Sequence, residues 1–320
     1  MGLPVRYYHS TDAGAPITQI TKPSDYITIL KACLVDGYGT KAGAGWTLEF
    51  EDTTAKKAVF RNSVADGGSG GAVQVQPHGT DASGNYVRFT AAGAITAIDT
   101  FVNRIPYRAY YTNSSATYSN GWMVVATSRG FWVIVNPGTG ASGDTNSANQ
   151  GTYVISQPTF FVGDIQSAIP NDLGVFTIVC STASQGVDYL LNSSTVLLNS
   201  GDIATGAYLY ATDGSASGSA YSHFDKGPNT TASTGNNTDP TVDGVPIDIQ
   251  PVTLFGGSNT SIALPRFRGI VPGLFFTNYY GFRGFSTPII RTFDGVDYRL
   301  ITGYRVAHLF VQMSGEWYES

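Results

Sequence analysis

The chain has 320 residues, of which 42% are hydrophobic and only 13% are charged, so it can build a sizeable core. Its 18 basic and 23 acidic residues give a net charge of −5 without a long basic cluster, which excludes nucleic acid as an expected partner. No apolar run is long enough for a membrane helix, and the first residues lack the pattern of a signal peptide. We therefore expect neither membrane insertion nor export by a leader.

Cys33 and Cys180 are the only two cysteines. A secreted scaffold held by disulfides would be far richer in cysteine, so we expect two buried free thiols. This expectation favours maturation in a reducing cytoplasm.

The stretch "KPSDYITILKACLVDG" predicts one N-terminal helix over about residues 25–35. Ser24 is expected as the N-cap, with Asp25 in the first turn, and apolar residues recur at helical spacing along one face. Gly37 stands where a residue with positive φ would end the helix.

Four glycines follow this helix in "VDGYGTKAGAGW". Gly37, Gly39 and Ala42 satisfy the loose spacing of a dinucleotide-binding loop, but that motif needs a strand before it and a helix after it. Here the order is reversed, and the P-loop pattern is absent. We therefore predict a helix exit whose turns lead into a strand, not a nucleotide site.

Short runs with strand character come next: "WTLEFED", "KAVFRN", "GAVQVQP", "NYVRFTA" and "RAYYTN". The strongest signal is "GWMVVATSRGFWVIV", where two apolar runs flank the turn-like "SRG". It predicts an antiparallel hairpin of residues 122–127 and 131–135. Further strands are expected in "GVFTIVC" and in the C-terminal part, where Asp294-Gly295 predicts a second hairpin.

Two polar segments, residues 138–151 and 212–244, are predicted to be surface loops. The fold class is therefore mainly β, with antiparallel sheets arranged as a sandwich or barrel-like body and one N-terminal helix. Two β-rich lobes are a further possibility, with residues 1–200 as the first and residues 201–320 as the second, which carries the longer loop.

No local pattern marks a catalytic, metal or cofactor site. The four histidines have no metal-ligand spacing, and no serine sits on the strand-to-helix elbow of a hydrolase. We therefore predict a protein without enzymatic activity and without a cofactor. Exposed aromatic residues near turns suit a protein interface or a sugar platform, so the candidate contacts are these: Tyr221, His223, Tyr279, Tyr280, Trp317 and Tyr318.

Several stretches in order, among them "YYHSTDAGAP", "LKACLVDGYGTKAGAGWTLEF", "GWMVVATSRGFWVIV", "FFVGDI", "RFRGIVPGLFF" and "FVQMSGEW", resemble a family of virion structural proteins from tailed bacteriophages. Members of this family are tail-tip or baseplate components. The two polar segments lie outside the resemblance.

The resemblance implies a structural subunit, assembled in the host cytoplasm and carried in the virion at the tail tip or baseplate. Its partners would be other tail proteins, in multiple copies of a symmetric assembly. One alternative is a host-receptor or glycan-binding protein at the tail tip, and a third is a depolymerase of surface polysaccharide.

Overall fold

The computed structural model describes residues 4–112, 121–135, 159–180, 188–191, 205–215, 217–223, 248–256, 264–277, 290–301 and 309–318. These residues form a mainly β fold of antiparallel sheets with a single short helix near the N-terminus, which confirms the predicted fold class. The helix is α1 (Pro23–Leu30). No described helix is long and apolar enough to cross a membrane.

The strands are β1 (Arg6–His9), β2 (Thr47–Asp52), β3 (Lys57–Arg61), β4 (Ala72–His78), β5 (Tyr86–Ala97), β6 (Thr100–Arg104), β7 (Arg108–Tyr111), β8 (Trp122–Ala126), β9 (Gly130–Val135), β10 (Thr159–Asp164), β11 (Gln166–Ser167), β12 (Phe176–Cys180), β13 (Tyr189–Leu191), β14 (Thr205–Leu209), β15 (Ser219–His223), β16 (Ile249–Gly256), β17 (Phe267–Thr277), β18 (Ile290–Phe293), β19 (Val296–Ile301) and β20 (Leu309–Gln312).

Two sheets contain all of these strands. The smaller sheet has seven strands in the order β13-β7-β5-β4-β3-β2, with β6 also paired to β5. The larger sheet has 13 strands in the order β1-β8-β9-β10-β12-β14-β15-β16-β17-β20-β19-β18, with β11 also paired to β17. Pairing is antiparallel except between β13 and β7, and the described strands close no barrel.

The sheets stack so that strands β8, β9, β10 and β12 are buried on both faces. On β8, Trp122 and Val124 face the first core, which also contains residues of α1 and of the smaller sheet. Met123 and Val125 point the opposite way into the second core, which these strands share with β16, β17 and β20. A strand that is covered on both faces is expected to be apolar along its whole length, and the β8–β9 hairpin has this pattern.

The larger sheet continues across residue 200, where we expected a boundary between two lobes. Val179 on β12 pairs with Ala207 on β14, so strands from both predicted lobes are neighbours in one sheet. β1 also pairs with β8, and Val5, which precedes β1, donates its N–H to the carbonyl oxygen of Gly315 in the C-terminal part. The larger sheet thus contains strands from before and after residue 200, and the division into two lobes stays a prediction.

Helix α1 is where the sequence predicts it, but Ser24 is not its N-cap. The helix begins at Pro23, so Lys22 is the N-cap residue. Asp25 lies in the first turn as predicted, and its carboxylate accepts the backbone N–H groups of Thr21 and Lys22 at 2.8 and 3.0 Å. These bonds satisfy donors that have no partner within the helix. After α1 the chain continues as a π-helical segment, Lys31–Asp36.

The glycine loop after this helix, residues 37–46, folds back over the helix end. The N–H of Ala44 donates to the carbonyl oxygen of Cys33, and the N–H groups of Gly45 and Trp46 donate to that of Leu34. A Cβ on Gly43 would stand 2.2 Å from the carbonyl oxygen of Val35, so only glycine fits there. The loop therefore caps the helix and leads into β2, as predicted.

The other strand predictions can be compared element by element. β2, β3, β4, β5 and β7 confirm the five short runs, and β8 and β9 confirm the central hairpin. Asp294 and Gly295 form the turn between β18 and β19 with positive φ, as predicted. The predicted loop 212–244 was wrong at one place, because residues 219–223 form β15. Residues 224–244 and the predicted loop 138–151 lie outside the described residues.

Candidate functional site

Three of the six aromatic and histidine candidates are core residues. Tyr221, Trp317 and Tyr318 are 1%, 4% and 3% exposed and belong to the second core. Their burial is a correction to our expectation of surface contacts, because a side chain enclosed by its own fold cannot reach a partner. His223 ends β15 but its side chain is not described, and Tyr279 and Tyr280 lie outside the described residues.

Tyr318 instead supports a polar cleft of about 480 Å³, which we call the Arg129 cleft. Its walls come from the loop between β3 and β4, the β8–β9 turn, the chain from Asp164 to Val175, and the C-terminal segment. The side chains that matter below are these: Ser69, Arg129, Asp164, Gln166, Asn171 and Leu173.

Arg129 lies in the tight turn between β8 and β9. The Thr127 hydroxyl oxygen accepts the N–H groups of Arg129 and Gly130 at 3.2 and 3.3 Å, which fixes the turn. The guanidinium carbon lies 4.0 Å from the centre of the Tyr318 ring, a cation–π contact that orients the group. Its Nε is buried and has no hydrogen-bond partner among the described residues.

Asp164 is the buried acid next to this arginine, with 0% of its side chain exposed. Its two carboxylate oxygens accept the Ser69 hydroxyl at 2.5 Å and the Ser69 backbone N–H at 2.8 Å. Arg129 Nε is 3.7 Å from the nearer oxygen. Burial raises the pKa of Asp164 above its usual value, against the opposing effects of the Ser69 hydrogen bonds and the Arg129 charge.

The backbone around Asp164 joins the same groups. Its N–H donates to the Arg129 carbonyl oxygen at 3.1 Å, and the Tyr318 hydroxyl donates to the Asp164 carbonyl oxygen at 2.7 Å. The β8–β9 turn, the end of β10 and the C-terminal segment are therefore held together at the cleft.

Asp172 forms the other charged part of the wall and is fully paired. Arg268 donates to its two oxygens from Nε and Nη2, each at 2.7 Å, and neither side chain is more than 1% exposed. Ser167 and the N–H of Gly174 also donate to this carboxylate. Arg268 in turn stacks on Tyr221 at 5.5 Å, so this buried tyrosine supports the wall from below.

These contacts decide what the cleft can do chemically. Two-carboxylate hydrolysis of a glycoside needs both acids free to face the substrate, whereas Asp172 is saturated by Arg268 and Ser167. The described residues contain no group of three His, Cys, Asp or Glu side chains that could hold a metal. The cleft offers a fixed guanidinium and neutral amides, a combination suited to binding an anion.

A second polar cluster lies beside the glycine loop and explains Lys41. The ammonium group of Lys41 donates to Asp12 at 2.6 Å and to the Tyr7 carbonyl oxygen at 2.8 Å. Asp12 also accepts the Tyr38 hydroxyl at 2.7 Å. Lys41 thus fastens the glycine loop to β1, which is a structural role.

Sequence reasoning missed Arg129, Asp164 and Asp172. Arg129 was interpreted only as part of the turn "SRG", although a cation between two fully apolar strands is a usable signal. The pairing of Asp172 with Arg268 joins residues far apart in the chain, and no local pattern announces it.

Comparison with known proteins gives no match: no family model, curated protein or solved structure resembles this chain at a significant level.

Proposed function

We propose that this protein is a non-enzymatic structural subunit of a bacteriophage tail tip or baseplate, acting through interfaces with neighbouring virion proteins. The resemblance of its ordered stretches to tail proteins supports this role. The fold supports it too, because stacked β layers with two buried cores make a rigid body suited to assembly.

The observation that carries the proposal is an exposed aromatic pair on the outer face of β16 and β17. Phe255 and Phe267 are directly opposite each other, with ring centres 5.4 Å apart. They are 40% and 41% exposed, and Leu264, which precedes β17, is 81% exposed. Grouped apolar side chains on a surface are typical of protein interfaces, where aromatic residues contribute most of the binding energy.

The opposite face of the same two strands is well packed. Leu254 and Val271, on β16 and β17, are fully buried in the second core. The two phenylalanines therefore lie on the side of the sheet that the described residues leave uncovered. A neighbouring subunit would remove this apolar surface from water, which is the dominant favourable term in association.

The test replaces both phenylalanines with threonine, which suits a strand but removes the aromatic surface. A phage lacking this gene is complemented with the Phe255→Thr, Phe267→Thr double variant, and purified particles are analysed for the protein. We expect a folded protein, by circular dichroism and melting temperature, that is missing from particles. The control is Val102→Thr, at a residue 48% exposed on β6, which should be incorporated normally.

Two results would contradict the proposal. One is incorporation of the double variant at the wild-type level. The other is a location of the wild-type protein in the capsid or neck when intact particles are imaged by electron cryomicroscopy.

A further inference from the structure

We propose that the Arg129 cleft binds an anionic sugar, with the carboxylate or phosphate group of the sugar paired to the guanidinium of Arg129. Such a site would give the protein a glycan-binding activity in addition to the proposed structural role. The inference does not rest on the assembly role, because the cleft and the Phe255–Phe267 pair are separate surfaces.

Arg129 is prepared for an anion before any ligand arrives. Stacking on Tyr318 fixes the plane of the guanidinium, and the turn bonds from Thr127 fix its backbone. Within the described part of the chain, no acceptor pairs with either Nη, and the side chain is 22% exposed. A planar guanidinium with free Nη groups binds a carboxylate or phosphate through two parallel hydrogen bonds.

The two acidic side chains of the cleft are buried and already paired. Asp164 has no exposed surface, and its oxygens are directed at Ser69. Asp172 is neutralised by Arg268 within the wall. Arg129 is therefore the charged group that the cleft presents to solvent, even though Asp164 lowers the net charge behind it.

The size and lining favour a sugar over a protein side chain as the carrier of the anion. A volume of about 480 Å³ lies in the range of small-molecule sites, whereas protein interfaces are broad and flat. The amide of Gln166, half-buried, and that of Asn171, exposed, can donate to and accept from hydroxyl groups. Leu173, which is 68% exposed, gives the rim an apolar surface for the C–H face of a sugar ring.

The experiment titrates the full chain with glucuronate, glucose 6-phosphate, glucose and acetate, followed by isothermal calorimetry and saturation-transfer NMR. We expect saturable binding of at least one charged sugar, and the first two arms distinguish carboxylate from phosphate. Glucose and acetate should each bind about tenfold more weakly or worse, because each lacks one half of the recognised group.

Arg129→Gln should weaken the charged sugar by about tenfold or more, since it removes a charge-assisted pair of hydrogen bonds. The matched control is Arg266→Gln, which removes the same charge from an exposed arginine outside the cleft lining and should bind as the wild type does.

Asn171→Asp guards against a variant that fails to fold. Asn171 has a φ of 56°, which aspartate tolerates, and the change replaces an exposed amide at the rim with a negative charge that repels an anion. We expect weaker binding of the charged sugar with an unchanged melting temperature. The proposal is overturned if no charged sugar binds, if Arg129→Gln binds like wild type, or if acetate binds as well as the sugars do.

Discussion

Gly163 on β10 lies against Gly130 on β9 so closely that a Cβ added to Gly163 would stand 2.4 Å from the Gly130 Cα. The same Cβ would be 2.6 Å from the Arg129 carbonyl oxygen, and φ of Gly163 is +146°. The backbone of the Arg129 cleft therefore depends on two glycines that face each other.

Gly163→Ala should be strongly destabilising. The unusual φ costs about 1–3 kcal/mol for a residue with a side chain, and the forced overlap adds about 1–3 kcal/mol. We expect the free energy of unfolding in urea to fall by about 3 kcal/mol or more. Gly79→Ala is the control, because φ is +103° there but nothing lies within 4 Å of the new Cβ. Equal losses in the two variants would contradict the role of the close approach.

Removing one partner of the buried Arg268–Asp172 ion pair should destabilise the protein more than removing both. Arg268→Met leaves an uncompensated carboxylate in the wall, which costs about 3–5 kcal/mol. Adding Asp172→Leu removes that buried charge, so the double variant should be more stable to urea than Arg268→Met. A double variant as unstable as the single one, or less stable, would show that the carboxylate is not isolated by the loss of Arg268.

Asp164 should make stability depend on pH with a defined sign. Because its pKa is raised in the folded protein, the folded state holds a proton over a range in which the unfolded chain has lost it. Its contribution to the free energy of unfolding is therefore largest below the unfolded pKa and falls as the pH rises through the folded pKa. Above the folded pKa the contribution is constant.

Asp164→Asn removes this contribution, so the difference in unfolding free energy between wild type and variant should shrink or reverse as the pH rises above about 4. Urea denaturation at a series of pH values measures that difference. Two other acids, Asp12 and Asp99, have lowered pKa values. Burial raises these pKa values, but hydrogen bonds from lysines and other donors outweigh it, so their contributions to stability rise with pH, in a lower pH range. Both residues are present in wild type and variant, so their contributions cancel in the difference between the two unfolding free energies. If that difference does not change with pH, the assignment to Asp164 is refuted.

The two cysteines should be inert in the native state. Cys33 and Cys180 are free and fully buried, and burial raises the pKa of the Cys33 thiol, which keeps it protonated. We expect no rapid reaction with Ellman's reagent under native conditions and reaction of both thiols in denaturant. Fast modification of the native protein would mean that at least one thiol opens to solvent.

The local features of this fold could be predicted because each depends on neighbouring residues. The hairpin of β8 and β9 follows from two β-branched and aromatic runs around a short turn, and the turn at Asp294-Gly295 follows from residues that accept positive φ. The π-helical end after α1 was not predicted from the sequence. Its carbonyl oxygens at Cys33 and Leu34 accept N–H groups of the glycine loop, and apolar spacing along the helix does not reveal such contacts.

The arrangement of layers and the cleft could not be derived in the same way. A run of apolar residues shows that a strand is buried, but does not show which elements cover each face. Tyr318 is expected at the surface because it lies near the end of the sequence. In the structure its ring packs against the guanidinium of Arg129, which lies in the distant β8–β9 turn. Such contacts are set by long-range pairing, which leaves no trace in local spacing.

The bond between Val5 and Gly315 has a consequence for how the protein is made. Chains are synthesised from the N-terminus, so Val5 leaves the ribosome long before Gly315 has been added. Tyr318, which orients Arg129, is later still. Helix α1 and strands β2 to β7 of the smaller sheet come from the first 111 residues, whereas the Arg129 cleft can form only after Tyr318 has been translated.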